Sequence, residues 1–129
     1  LEATNAWRAT GATCSGVGMA EVPTLQCVKP CAERRAPTPA TVSSGSFDHL
    51  TPEGASPAGR AEESGYDWAA LSENISKGRP SASDTVDGLI DSTSGHCETI
   101  MGSDVTEVGM GAHYDGETGW WVQVFGSPL

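Results

Sequence analysis

The C-terminal third of the chain carries the clearest secondary-structure signal. In the segment VTEVGMGAHY, apolar residues alternate with polar or small ones, so that Val108, Met110 and Ala112 fall on one side of an extended strand. The sequence DGETG that follows has the composition of a turn, and WWVQVF is rich in residues that favour strands. This order predicts an antiparallel β-hairpin over residues 104–125.

Helical signals lie earlier in the chain. Residues 1–10 are predicted to form a short helix, with Trp7 as its buried anchor and Gly11 as its C-terminal stop. The segment SPAGRAEESG has Ser56 as its N-cap, a proline at the first helical position and a glycine after its end. In SASDTVDGLIDS, Ser83 is the expected cap. Three apolar residues then share one helical face, namely Val86, Leu89 and Ile90.

Two segments are predicted to be irregular. Residues 11–25 are rich in glycine and end close to a proline, which favours a loop. In CVKPCAERRAPTPATVSSGS, three prolines prevent a continuous helix, because each proline inside a helix costs about 3 kcal/mol. At most one or two helical turns are expected there, over Cys31–Ala36. The predicted fold class is therefore α+β and loop-rich, with helices mainly early and an antiparallel sheet late.

Length and charge limit the functions that the chain can perform. Its 129 residues suit one domain, 1–129. Acidic residues outnumber basic ones 17 to 7, a formal charge of −10 that argues against nucleic acid and anionic membrane surfaces as partners. No apolar run approaches the roughly 20 residues of a membrane-spanning helix. The opening segment LEATNAWRATG lacks the apolar core of a signal peptide.

The four cysteines indicate the compartment. Cys14, Cys27, Cys31 and Cys97 are an even number in a small acidic chain, which predicts disulfides and an oxidising environment, with three possible pairings. A zinc cluster is the competing hypothesis, but the chain has no CxxC pair. Cys97 directly follows His96. Neighbouring side chains usually point apart, which argues against a nucleophile and its base.

Three histidines are the candidate functional residues: His49, His96 and His113. Two histidines from separate loops and one carboxylate could form an open zinc site, which takes three protein ligands and a water. With 17 acidic residues a carboxylate is always available, so each histidine can equally be a hydrogen-bonded polar residue. The absence of G-x-S-x-G argues against a serine hydrolase, and GMGAHYDG lacks the spacing of a dinucleotide-binding loop.

Six short motifs follow one another along the chain: TNAWRATGATC, FDHLTPEGASPAGRAEESGY, SENISKG, SGHCETIM, VTEVGMGAHY and WWVQVFG. In this order and at this spacing the chain resembles the bacterial branch of the CAP superfamily (cysteine-rich secretory, antigen 5 and pathogenesis-related 1 proteins, with SCP-like domains). The usual bacterial pattern has an F-x-H loop, then G-E-N-I, S-P-G-H, T-E-[VI]-G-V-G and a closing W-V-Q-V-F-G strand. The resemblance runs from residue 1 to about 126.

This resemblance implies an α-β-α sandwich with a central antiparallel sheet and a cleft lined by histidines and acids. Four residues stand at matching cleft positions, namely His49, Glu73, His96 and Glu107. In the family the histidines can bind zinc or another divalent cation and the glutamates orient the imidazoles. His49 and His96 are thus the expected metal ligands. The resemblance also implies a disulfide between Cys14 and Cys97.

The chain departs from the family pattern in several places. Ser72 stands where G-E-N-I has its glycine, and the proline of S-P-G-H is replaced. The family's fourth cleft acid lies on the helix before the G-H motif, where this chain offers Ser92 or Asp91. Prolines also interrupt the segment where the family has a long helix before the F-x-H loop.

The family resemblance predicts a secreted, extracellular binding or structural module rather than an enzyme. Its cleft would take zinc, another divalent cation or a small ligand, and its partner would be that ligand or an extracellular protein. The first alternative is a metal-assisted hydrolase in which Glu73 or Glu107 activates water. The second is binding of an apolar ligand or sterol, as in some family members, which requires an accessible apolar groove.

Overall fold

The computed structural model describes residues 1–28 and 47–129. The helices and strands of these residues, numbered in chain order, are α1 (Glu2–Thr10), β1 (Ala12–Cys14), β2 (Val17–Met19), β3 (Gln26–Cys27), α2 (Pro57–Glu63), β4 (Trp68–Lys77), α3 (Ala82–Ile90), α4 (His96–Ile100), β5 (Glu107–Tyr114) and β6 (Gly119–Pro128). The helical turns predicted over Cys31–Ala36 lie outside the described residues, as does any pairing of Cys31.

Four strands form one sheet in the order β3-β5-β6-β4. Strands β5 and β6 pair antiparallel, from Glu107 opposite Gly126 to Tyr114 opposite Gly119, which confirms the predicted C-terminal hairpin. Strand β4 pairs antiparallel with the other side of β6, whereas the two-residue β3 runs parallel to β5. The sheet is therefore antiparallel, as predicted, except for the two-residue strand β3 at one edge.

Helices pack on both faces of this sheet. Along β4, successive side chains point to opposite faces, so Asn74 faces α4 and Glu73 faces α2. On the α4 side, Phe125 of β6 is fully buried in a core with apolar residues of α3 and α4, namely Val86, Leu89, Ile90 and Ile100. On the other side, Arg60 of α2 contacts Glu73. This arrangement confirms the predicted α+β class and its layered order.

Helix α1 forms where it was predicted, but a different residue anchors it. Trp7 is only partly buried, and its indole N–H donates to Asp87 Oδ1 on α3 at 2.9 Å. Arg8 is 0% exposed. Its guanidinium donates to four backbone carbonyls, those of Pro23, Ile100, Gly102 and Val105. Carbonyls at the end of α4 have no partner within the helix, and arginine carries enough donors to satisfy several at once.

Residues 11–25 were predicted to be a loop, and this prediction is wrong in part. Within them, β1 and β2 form an antiparallel hairpin. Its two turn residues, Ser15 and Gly16, have φ values of 51° and 83°, the positive range that a tight primed turn requires. At the end of β1, Cys14 forms a disulfide with Cys97 of α4. This bond confirms the pairing implied by the family resemblance and ties the N-terminal hairpin to α4.

Of the caps predicted for helices α2 and α3, one is confirmed and one is wrong. Ser56 caps α2 as predicted, and its Oγ accepts from the backbone N–H of Gly59 at 3.1 Å. Helix α3 begins two residues earlier than predicted, because Ser81 rather than Ser83 accepts from the backbone N–H of Asp84. The buried face of α3 is confirmed, since it consists of Thr85, Val86, Leu89 and Ile90.

Candidate functional site

The candidate site is built around a buried carboxylate that β4 directs towards α2. The side chain of Glu73 is only 3% exposed. Its Oε1 lies 2.8 Å from His49 Nδ1, and its Oε2 accepts from Arg60 Nη2 at 2.5 Å. Burying an ionised carboxylate is unfavourable unless the charge is paired and hydrogen-bonded. Arg60 supplies the opposite charge for this buried carboxylate.

Arg60 also holds the loop that carries His49. Its Nη1 donates to the backbone carbonyls of His49 and Ala55, each at 3.0 Å. Within that loop, Asp48 Oδ1 accepts from the backbone N–H of Leu50 at 3.0 Å. Sequence reasoning did not select Arg60 as a site residue. The sequence feature that could have indicated it is that Arg60 is the one basic residue on a short helix whose other charged residues are acidic.

The contact with Glu73 determines which ring nitrogen of His49 is available. A carboxylate that is paired with an arginine accepts a hydrogen bond, so we assign the ring proton of His49 to Nδ1. The lone pair then remains on Nε2, the form in which an imidazole binds a metal ion. The His49 side chain is 48% exposed, which leaves the ring accessible to a ligand from solvent.

His96 begins α4 directly after Gly95, whose φ of 89° is left-handed. Its Nδ1 lies 2.7 Å from Ser92 Oγ, and its backbone carbonyl accepts from Asn74 Nδ2 at 3.1 Å. Of the two candidates for the family's fourth cleft acid, Ser92 rather than Asp91 makes this contact with the imidazole. A hydroxyl can orient the ring without adding a negative charge.

Two neighbouring residues of β4 connect the two histidines. Glu73 contacts the imidazole of His49 on one face of the sheet, and Asn74 contacts the backbone of His96 on the other. Strand β4 lies at the edge of the sheet. Two adjacent residues of an edge strand therefore contact the two histidines, one on each face of the sheet.

Glu107 lies in a separate environment. Its Oε2 accepts from the Tyr66 hydroxyl at 2.7 Å. Burial, and then the hydrogen bond to this carboxylate, raise the pKa of Tyr66 above its usual value, so the phenol keeps its proton. Glu107 on β5 is opposite Gly126 of β6, and Glu73 on β4 is opposite Val124 of β6. The two glutamates are therefore two strands apart across the sheet and two residues apart along it. That distance is roughly 12 Å between Cα atoms, and each glutamate has its own partner.

The described residues do not form a three-ligand metal centre. Within residues 1–28 and 47–129, no group of three His, Cys, Asp or Glu side chains could hold one metal ion. Both oxygens of Glu73 and the Nδ1 atoms of both histidines already have partners. Within the described residues, Nε2 of His49 and Nε2 of His96 make no hydrogen bond. A catalytic zinc site takes three protein ligands and an open position.

A separate cavity opens on the other face of the sheet, between α1 and α3. Its volume is about 620 Å³, and its lining is mostly apolar. Four alanines lie along it, namely Ala3, Ala6, Ala82 and Ala112, together with Met110 and Trp121. Inside it, Gln123 Nε2 donates to Thr4 Oγ1 at 2.9 Å. The lining therefore combines small residues from both helices and the sheet with a few larger apolar side chains.

The sequence profile of the cysteine-rich secretory protein family, CAP, matches residues 1–125. The chain therefore belongs to this family, as its ordered motifs predicted. No curated protein sequence matches it significantly.

Two solved structures are similar in fold. One is an extracellular protein containing an SCP domain from Bacillus anthracis str. Ames, with a TM-score of 0.66 and 21% identity over 81% of this chain and 34% of that one. The other is an outer surface protein from Borrelia burgdorferi, with a TM-score of 0.71 and 17% identity over 84% and 80% of the two chains. The chain thus spans about a third of the first neighbour, and these identities support a shared fold alone.

Both neighbours are extracellular or surface proteins. In the part of this chain that the structure describes, no helix combines the length and apolarity needed to cross a bilayer.

Proposed function

We propose that this CAP domain is a secreted binding module whose ligand contacts the imidazole of His49. The ligand is a divalent cation such as zinc, or a small polar molecule. The observation that carries the proposal is the contact from His49 Nδ1 to a buried carboxylate that is also paired with Arg60. This contact fixes the ring orientation and leaves Nε2 as an acceptor on a half-exposed side chain.

A binding module fits the site better than the metal-assisted hydrolase does. Such a hydrolase needs three metal ligands and a free base close to the bound water. Among the described residues that set of three ligands is missing. Both candidate bases also already accept hydrogen bonds, Glu73 from Arg60 and Glu107 from Tyr66.

Zinc titration by calorimetry tests the cation part of this proposal. We expect His49→Ala to weaken zinc binding at least about tenfold, the loss typical when a group in a metal site is removed. His96→Ala should weaken it as well if both imidazoles reach the same ion. His113→Ala is the matched control, because His113 is exposed on β5 and should leave the affinity unchanged. Equal zinc affinities of wild type and His49→Ala would end the cation part of the proposal.

Apolar-ligand binding is a second candidate, which the cavity between α1 and α3 favours. Its volume of about 620 Å³ lies in the range of small-molecule sites, and its lining is mostly apolar with a few polar groups. The fluorescent fatty acid cis-parinaric acid is a suitable probe. We expect saturable binding that Ala6→Trp blocks, because Ala6 lines the cavity. Ala9→Trp, on the same helix but outside the cavity lining, should bind normally. Unsaturable binding, or equal effects of both variants, would exclude this candidate.

A further inference from the structure

We propose that the end of the sheet beside the His49 loop forms a subsite for a carboxylated sugar unit. The subsite consists of Lys77, Trp120, His113 and Phe47. It extends the ligand chemistry of the domain beyond a cation at His49, and it does not depend on metal binding there.

Strand register places three of these side chains in one row. Trp120 of β6 lies opposite Lys77 of β4 and also opposite His113 of β5. Residues directly opposite each other on neighbouring strands share a face of the sheet. The Lys77 ammonium lies 4.1 Å from the centre of the Trp120 ring, within the range of a cation–π interaction. The Trp120 ring is only 7% exposed, and its indole N–H donates to the Asp115 carboxylate at 3.2 Å. This buried ring is therefore flanked by a lysine, a histidine and an aspartate, so any aromatic surface open to a ligand must come from a neighbouring ring.

Phe47 adds an accessible aromatic surface to this row. Its ring packs edge-to-face against Trp120, with 6.2 Å between the ring centres and an interplanar angle of 61°. Phe47 is nevertheless 48% exposed, so part of the ring faces solvent. It precedes His49 by two residues in the same loop, and Lys77 follows Glu73 by four residues on the same face of β4. The row therefore lies about 13 Å along the strand from the Glu73 site.

The charge of Lys77 is not neutralised by the fold. Among residues 1–28 and 47–129, both ion pairs involve Glu73, so no carboxylate pairs with the exposed ammonium. The protein as a whole carries a formal charge of −10, which repels anions from most of its surface. An anionic ligand is therefore attracted to the few exposed cations, of which Lys77 is one.

A carboxylated sugar combines the two features that this row can recognise. The C–H groups on one face of a sugar ring are weakly positive and pack against the negative face of an aromatic ring. Its carboxylate can pair with the Lys77 ammonium and accept a hydrogen bond from the histidine. A neutral sugar would make only the first contact, and an acidic peptide only the second.

The test is an NMR titration with a hexamer of galacturonic acid, at low ionic strength and in the presence of EDTA. We expect saturable shifts of the Trp120 indole N–H. Lys77→Met and Phe47→Ala should each weaken binding about fivefold, the upper range for one exposed contact. Arg79→Met is the matched control, because the Arg79 guanidinium packs against Gly88 of α3 instead of the aromatic row. Its affinity should stay within about twofold of wild type.

Two further probes separate ring recognition from charge. A hexamer of N-acetylglucosamine carries the ring without the carboxylate, and hexaglutamate carries the charge without the ring. Both should bind more weakly than the galacturonate hexamer. The proposal is overturned if galacturonate fails to saturate at millimolar concentration, if hexaglutamate binds as tightly, or if Arg79→Met and Lys77→Met are equally impaired. EDTA removes divalent cations, so the result of this titration is independent of zinc binding at His49.

Discussion

Two arginines on opposite faces of the sheet show two ways of burying a cation. Arg8, on the face covered by α1, α3 and α4, donates to four backbone carbonyls. Arg60, on the face covered by α2, is paired with the buried carboxylate of Glu73 and donates to two further carbonyls. The contacts of Arg8 only connect chain segments. Those of Arg60 also position Glu73 and, through it, the solvent-accessible imidazole of His49.

This difference assigns separate tasks to the two faces. The face around Arg8 contains the disulfide and the apolar core, so changes there should lower stability and leave the His49 contact intact. The face around Arg60 contains the His49–Glu73 contact, so changes there should disturb ligand binding at His49 with a smaller loss of stability. Variants on each face can break or sharpen this division.

Loss of the disulfide should have the largest effect on stability. Cys14 and Cys97 are 83 residues apart, and opening a loop of that length should lower the free energy of unfolding by about 4–5 kcal/mol. Cys97→Ser should therefore melt well below wild type under non-reducing conditions. It should retain zinc binding at temperatures at which it is folded. An unchanged melting temperature would contradict the structural role of this bond.

Arg8→Met should be the next most damaging change. Four buried carbonyls would lose their donor, which should lower the free energy of unfolding by about 3–4 kcal/mol, measured by urea denaturation. Arg79→Met replaces an exposed arginine and should change the stability by less than about 0.5 kcal/mol. If the two variants were equally stable, the carbonyl contacts of Arg8 would not stabilise the fold.

Arg60→Met should have a smaller effect on stability but a direct effect on the site. It leaves the carboxylate of Glu73 buried with only the imidazole as a partner, at a cost of about 2–3 kcal/mol in urea denaturation. The second change Glu73→Gln should recover part of that loss, because it removes the unpaired charge. Additive losses in this double-mutant cycle would show that the two side chains are not coupled.

The turn at Asp115 lies between β5 and β6, away from both arginines. Its contribution to stability should change only at low pH. Backbone N–H groups of Thr118 and Glu117, then the indole of Trp120, lower the pKa of Asp115 from 3.8 to about 2. The folded-state pKa is below the unfolded value, so these bonds stabilise the fold above pH 3.8 and this stabilisation is lost as the pH falls towards 2. Asp115→Asn should therefore reduce the slope of stability against pH in this window, measured by urea denaturation. An unchanged slope would contradict this account.

Elements with local signals could be predicted from the sequence. The C-terminal hairpin followed from alternation and a turn, and the buried face of α3 from helical spacing. Strand β4 was missed because the run SENISK is polar, yet both of its faces are covered by helices and loops that come from elsewhere in the chain. The first hairpin was missed because its turn begins with Ser15, a residue that rarely adopts positive φ.

The candidate site was predictable only in part. The family resemblance selected His49 and Glu73, which the fold brings into contact. It could not indicate the partner of the carboxylate, since the role of Arg60 depends on how α2 packs against β4. Composition likewise could not distinguish the buried Arg8 from the partly buried Trp7, because burial of an arginine depends on carbonyls from distant segments.

The central claim is that Glu73, paired with Arg60, fixes the proton of His49 on Nδ1 and leaves Nε2 free. Nitrogen-15 NMR of the imidazole, at a pH where the ring is neutral, tests it most directly. We predict that His49 in the wild type is the Nδ1–H tautomer and that Glu73→Leu shifts the ring towards the Nε2–H form preferred by free histidine. A wild-type ring that already carries its proton on Nε2, or a tautomer unaffected by Glu73→Leu, would contradict the account.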